Sequence, residues 1–465
     1  MWKRIGFITG SLLFLIFFVF AGHSLQGETS LSTHCAYFRY DEIDYAGAIH
    51  IYLKNLSNQP VQVKGMRLNG KNVGLLVNEE IVKQPLKFRE RYLEIKNREI
   101  MWYRIWPNPI PPRGVSQIII RLAGFPKKPP VVDLLYYQKR GRVSILSVKV
   151  PIEKPSFRLS YVGFSNDLKT IYVYVRKEIE ADVTLSEIYL DGEKVKGSIF
   201  CPDFFHNLSL IKVVVGKPLK EGSFHTIKVA SSNGNSTAYQ VKVRRPEFVL
   251  GITDFNEKYA DTYKPLLMNT WAVWGGLNKD NLDMLQRHNM RGILGPVLTK
   301  MVYRKFGRRE SKEIFFVDPR EVLELKGHPA LAGFVIQGDE PDGHKPWQKY
   351  CREAERAEEF CRLLALRPYS LIFLNHSGTP KNYYTFGEIP QAITTHAYCL
   401  PGNDAEKAIE KIKYECSHCR EASYPHPPFY VPGPVNRYNG RGGEEARIEA
   451  YYAILEGIKG LIYWP

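Results

Sequence analysis

The sequence predicts two antiparallel β-sandwiches followed by a parallel (β/α)8 barrel that lacks its last helix. Three observations predict this. Residues 28–246 run in short alternating stretches split by turn signals. After Pro246, strand-like stretches alternate with helical ones until eight strands have passed. The eighth, GLIYW, leads into Trp464-Pro465 with no helical stretch behind it.

Lys3 and Arg4 precede an uncharged, largely apolar run from Ile5 to Ala21. Residues 1–27 are therefore expected to be a secretory signal, with a membrane anchor over 5–21 as the alternative. Either one implies export: a secreted, periplasmic or cell-surface protein.

Residues 28–153 and 154–246 are each expected to form a sandwich, the second immunoglobulin-like. AIHIYLKNL, SQIIIRLAG, TIYVYVRKE, LIKVVVGK and YQVKVRRP alternate with period two, and LNGKN, LDGEK and SSNGNS mark turns. PIEKPSF (151–157) reads as the linker.

Residues 247–465 are the expected barrel. FVLGITDF, TWAVWGG, RGILGPVL, LAGFVIQGDEP, YSLIFLNHSG, AITTHAYCL, PFYVPGPV and GLIYW are its strands. EKYADTYKPLLM, KDNLDMLQRHNM, PREVLELKGHPA, KPWQKYCREAERAEEFCRLLA, DAEKAIEKIKYECSHCREA and EEARIEAYYAILEGIK are its helical stretches. Eight such units in about 220 residues suit a TIM barrel.

The net charge of +16 lies wholly in the front half: residues 1–245 hold 36 Lys+Arg against 20 Asp+Glu, and residues 246–465 hold 28 of each. Basic sandwiches suggest an anionic glycan or cell surface as a partner, beside the plainer reading of solvated lysines. An exported chain without a binding motif argues against nucleic acid. Seven cysteines are too few for a disulfide scaffold, and the lone Cys416-Ser-His-Cys419 lacks the second pair that a zinc site wants. No metal or cofactor is expected.

In such a barrel the site is built at the C-terminal ends of the strands. Those ends hold Asp254, Trp274, Pro296, Asp339, Glu340, Asn375, His376, His396, Tyr398, Pro432 and Trp464. Aromatic rings can stack on sugar faces, and Asp, Asn and His can bind hydroxyls. The expected ligand is an oligo- or polysaccharide, with Asp254, Trp274, Asn375, His376, His396, Tyr398 and Trp464 as binding candidates.

Asp339 and Glu340 are the catalytic candidates. Glycosidases commonly use two carboxylates. Strand seven, PFYVPGPVN, carries no acid, so a nucleophile there is missing. Adjacent acids suit a different route, in which the substrate's own acetamido group attacks the anomeric carbon. Neighbours on an ideal strand point apart, and Gly338 and Pro341 would let the pair converge. The competing reading is a helix cap, though Asp342 stands closer to a helix beginning near His344 or Lys345.

With its export signal, β-sandwich region, barrel and strand-four Asp-Glu-Pro, the chain resembles the substrate-assisted β-N-acetylgalactosaminidases of glycoside hydrolase family 123 and their uncharacterised relatives. That resemblance implies that Asp339 orients the acetamido group and Glu340 is the acid/base. It also suggests Tyr398 as a partner of the acetamido oxygen. Two alternatives stay open: a glycosidase pairing Glu340 with a distant acid such as Asp254, and a non-catalytic carbohydrate-binding or cell-surface protein on a decayed barrel. Asn55, Asn207, Asn235 and Asn375 begin N-x-[ST] sequons.

Overall fold

The computed structural model describes residues 30–41, 46–73, 100–122, 124–137, 143–205, 207–253, 255–273, 277–295, 297–305, 308–316, 319–336, 371–377, 383–384, 386–396, 405–432 and 443–463, with 359, 360, 363 and 364. The segment 1–27, the expected signal, lies outside them.

The first eight strands are β1 (Leu31–Asp41), β2 (Ala46–Asn55), β3 (Val63–Leu68), β4 (Lys71–Val73), β5 (Ile100–Trp106), β6 (Val115–Leu122), β7 (Val131–Tyr137) and β8 (Val143–Lys149). They form two four-stranded sheets, ordered β1-β2-β6-β5 and β4-β3-β7-β8. Phe38, Ile49, Ile51, Ile118 and Ile120 of one sheet share a single apolar core with Val63, Met66, Val132 and Leu134 of the other. Period-two alternation sets this face, but β6 is buried along its whole length. Its second face packs onto the barrel, where Ala48, Trp102 and Ile119 join one cluster with Phe360, Phe386 and Ile389.

Strands β9 (Phe157–Phe164), β10 (Thr170–Lys177), β11 (Leu185–Leu190), β12 (Glu193–Val195), β13 (Gly197–Phe205), β14 (Leu208–Val214), β15 (Phe224–Ser231) and β16 (Ser236–Lys242) repeat the plan. Their sheets are ordered β13-β14-β10-β9 and β12-β11-β15-β16. In β10, Ile171, Val173 and Val175 enter the core they share, while Tyr172, Tyr174 and Arg176 take the other face.

Eight parallel strands follow: β17 (Val249–Ile252), β18 (Thr270–Val273), β19 (Arg291–Leu294), β22 (Leu331–Ile336), β23 (Leu371–Ser377), β24 (Ala392–His396), β25 (Pro428–Tyr430) and β26 (Gly460–Tyr463). They close into a barrel, with β17 beside β26 through Val249↔Gly460 and Ile252↔Tyr463. Ala272, Ile293, Val335, Ala392, Phe429, Val431 and Ile462 fill the interior. Gly460 is required here, because a Cβ on it would lie 2.3 Å from the Phe429 ring. The described barrel helices are α1 (Ala260–Tyr263), α2 (Lys279–Arg287), α3 (Pro319–Leu325), α4 (Ala405–Ser423) and α5 (Gly443–Leu455). Asn278 caps α2 by accepting from Asn281 N–H, and Leu282 and Leu285 are its buried stripe.

Two sequence expectations are corrected. RGILGPVL is not one strand. It breaks after Leu294, and an antiparallel ribbon of β20 (Val297–Lys305) and β21 (Arg308–Phe316) is inserted before α3. EKYADTYKPLLM gives only a 3-10 turn at Glu257–Tyr259 and the one-turn α1, because Leu266 and Leu267 already belong to a turn and Leu267 has φ of +57°.

Candidate functional site

The barrel mouth is set by which side chains face inward. In β24 the Thr395 hydroxyl meets Tyr383 Oη, which also donates to Glu415 Oε2 at 2.9 Å. Glu415 lies on α4, so Thr395 faces the helices. Ala392, Thr394 and His396 therefore face inward, in keeping with Ala392's place in the interior cluster. In β25 the Tyr430 hydroxyl donates to Glu449 of α5, so Tyr430 faces outward while Phe429 and Val431 line the interior.

His396, the last residue of β24, is thus an inward imidazole at the C-terminal end of the barrel, only 2% exposed. Burial pulls its pKa down to about 4, so it is neutral near pH 7. Thr394, equally buried, sits one inward step below it. Asn375 and His376 come just before Ser377, the last residue of β23, in register with Thr394 and Thr395. β22 ends at Ile336, level with Leu374 of β23. Asp339 and Glu340 come three and four residues after that end, outside the described residues, as do Asp254, Trp274, Pro296, Tyr398 and Trp464. Pro432, two residues past β25, is buried.

Sequence reading missed the polar junction at the opposite, N-terminal end of the strands. Glu388 precedes β24 and is buried. Arg39 of β1 lies 2.5 Å from its carboxylate, His50 of β2 3.3 Å, and Tyr239 of β16 donates to it at 3.3 Å. Burial alone would raise the Glu388 pKa. The charges of Arg39, His50 and Arg104 outweigh it and hold the carboxyl well below the usual range. Arg39 also donates to the carbonyls of Glu421 and Ala422, and Arg104 to that of Ile389. Part of the front half's positive charge is therefore spent inside this joint rather than displayed to solvent. No sequence signal marks it, since Arg39 and Glu388 are far apart in the chain.

Asn55 is wholly buried, and its amide donates to the carbonyls of Gln59, Ile110 and Pro111. The folded protein offers no sequon there. Cys416 and Cys419 are not joined in a disulfide and are buried on α4. Among the described residues no three His, Cys, Asp or Glu side chains converge to hold a metal ion.

No known family and no curated protein matches the chain. Solved structures align over much of its length at low similarity. A GH2 beta-galacturonidase from Eisenbergiella tayi is 12% identical over 90% of this chain and 82% of its own, with a TM-score of 0.33. A beta-D-glucuronidase from Dictyoglomus thermophilum is 11% identical over 95% and 91%, with a TM-score of 0.32. A Bacteroides uniformis beta-glucuronidase is 11% identical over 91% and 59%, with a TM-score of 0.35. At TM-scores this low the alignments carry no argument about function.

Proposed function

We propose that the protein is an exported glycoside hydrolase whose (β/α)8 barrel carries Glu340 as acid/base and Asp339 as the group that orients the substrate. The observation that carries this reading is the contrast between strands four and seven. β22 ends at Ile336, and Asp339-Glu340 follow it three and four residues later in the sequence. β25 turns Phe429 and Val431 inward, and no acid occurs from Ala422 to Gly443. A second carboxylate on strand seven is thus lacking. That favours a mechanism in which both acids come from one strand end.

In that mechanism Glu340 donates its proton to the leaving glycosidic oxygen as the C–O bond breaks. The substrate's acetamido oxygen attacks the anomeric carbon, with Asp339 accepting from the amide N–H. Glu340 then takes a proton from the water that opens the cyclic intermediate. His396, neutral and inward, suits a hydroxyl of the bound sugar. The sandwiches grip the barrel at Glu388 and Ala422, on the side away from these strand ends, and so serve as a buttress rather than as an extension of this site.

The test is hydrolysis of aryl β-glycosides by the purified protein, comparing N-acetylhexosaminides with plain hexosides. Activity confined to N-acetyl sugars, falling about 10²–10⁴-fold in Glu340→Gln, is the expected result. Activity on plain hexosides would replace substrate assistance with a two-carboxylate mechanism, and Asp254 is the first acid to test.

A further inference from the structure

At the N-terminal end of the barrel a groove of about 590 Å³ runs along the seam between the second sandwich and the barrel. Tyr161, Tyr174 and Arg176 line it from β9 and β10, and Arg420, Tyr424 and Lys459 from the barrel. Among the described residues no Asp or Glu lines it. The size falls within the roughly 300–1,000 Å³ of small-molecule sites.

The cations differ in how far they are already satisfied. Arg176 is paired with Glu421 at 3.0 Å. Arg420 gives one N–H to the Glu456 carbonyl at 2.6 Å, and the Glu456 carboxylate stands off at 3.9 Å. Its Nε is buried and has no hydrogen-bond partner among the described residues. Such a donor ordinarily finds an acceptor. Lys459 has its ammonium 5.0 Å from the Tyr161 ring centre and no carboxylate partner among the described residues. Gly457 brings these two cations to one place. It has φ of +91°, and a Cβ on it would stand 3.2 Å from Arg420 Cδ, so the arginine stem lies against the turn that leads into Lys459.

The aromatic wall is fixed as well. Tyr161 and Tyr174 lie with ring centres 5.9 Å apart at 48°. Arg158 sits over the Tyr424 ring at 4.7 Å. Flat rings beside Lys459 and the incompletely satisfied guanidinium of Arg420 suit a ligand with an apolar ring face and an oxyanion at its edge.

From these features we infer that the groove binds an acidic sugar, a pyranoside bearing a carboxylate or sulfate, with the oxyanion between Arg420 and Lys459 and the ring against Tyr161 and Tyr174. The choice of a sugar ring leans on the carbohydrate reading above. The groove itself lies at the other end of the barrel from Asp339 and Glu340.

The test is calorimetric titration of the full chain carrying Glu340→Gln, which prevents turnover. The probes are methyl β-glucuronide, glucose 6-sulfate, methyl β-glucoside and inorganic sulfate. Both acidic sugars are expected to bind at least about tenfold more tightly than the neutral glucoside and than sulfate alone. Lys459→Gln, at the groove surface, and Arg420→Gln are each expected to weaken the acidic sugars by about tenfold. Equal binding of neutral and acidic sugars would overturn the inference. So would sulfate binding as tightly as the sugars, or affinity unchanged in Lys459→Gln. Failure of the hydrolase reading leaves these outcomes untouched, because none of them measures turnover.

Discussion

Arg39 of β1 and Glu388 at the base of β24 meet at 2.5 Å, with 4% of the glutamate side chain exposed. His50 and Tyr239 reach the same carboxylate, so both sandwiches and the barrel converge on one buried negative charge. Glu388→Gln is expected to cost about 3–5 kcal/mol, because removing one member of a buried ion pair leaves its partners uncompensated. Urea denaturation of the two proteins, followed by tryptophan fluorescence, measures it. A change below 1 kcal/mol would mean that water reaches Arg39 and His50.

Acid should destabilise the fold from near neutrality downward. Burial, with Arg104's charge adding to it, brings His426 down to about 3, and burial brings His396 to about 4. Between those values and about 6.5 the unfolded chain binds more protons than the folded one, so stability is full above about pH 6.5 and drains away as pH falls. Glu388 adds a second loss below about pH 4.3, since its folded pKa is depressed. Denaturation midpoints measured from pH 7.5 to 4.5 should fall steadily. His426→Phe, which keeps a ring against Tyr239, should flatten that slope.

Two glycines should differ in how badly they tolerate a methyl group. At Gly460 the obstruction is the Phe429 ring, which can shift, and alanine should cost roughly 1–3 kcal/mol. At Gly387 the added carbon would lie 2.4 Å from the Ala422 carbonyl oxygen and 2.6 Å from that of Tyr383, both backbone. Gly387→Ala should therefore be the worse of the two in thermal melts. The reverse order would mean that the approach of α4 to this turn is looser than described.

Cys416 and Cys419 should resist a thiol reagent in the native protein and react only on unfolding. Burial pushes the Cys419 thiol well above its ordinary range, and both side chains are fully enclosed. Mass mapping after a short pulse of iodoacetamide checks this, with exposed Cys201 as the reactive control. Equal labelling at 201 and 419 would contradict it.

The architecture was legible where local periodicity carries it. Ile171, Val173 and Val175 alternate as a half-buried strand must, and β22 reads as a continuous apolar run because both of its faces are covered. The β20–β21 ribbon was not legible: Phe306-Gly307, between its two nine-residue strands, is not one of the Asn-Gly, Asp-Gly or Gly-first pairs that mark a two-residue hairpin, and RGILGPVL reads as one apolar strand. His396 could be placed at the mouth from sequence, but not its inward aim, which follows from Thr395 meeting Tyr383 on the outer side. The Glu388 junction could not be read at all. Arg39, His50 and Tyr239 come from three separate strands, and nothing in GEIPQ marks the glutamate as their common partner.

Barrel closure has a kinetic consequence. Val249 of β17 waits for Gly460 of β26, while both sandwiches assemble largely from strands near each other in the chain. Long-range parallel pairing is slow to form. During synthesis the sandwiches can be complete while β17 still presents a bare edge, and that edge stays open until the last strand arrives. Over that interval the nascent chain is most prone to aggregate, and a chaperone that shields exposed strand edges would matter most then.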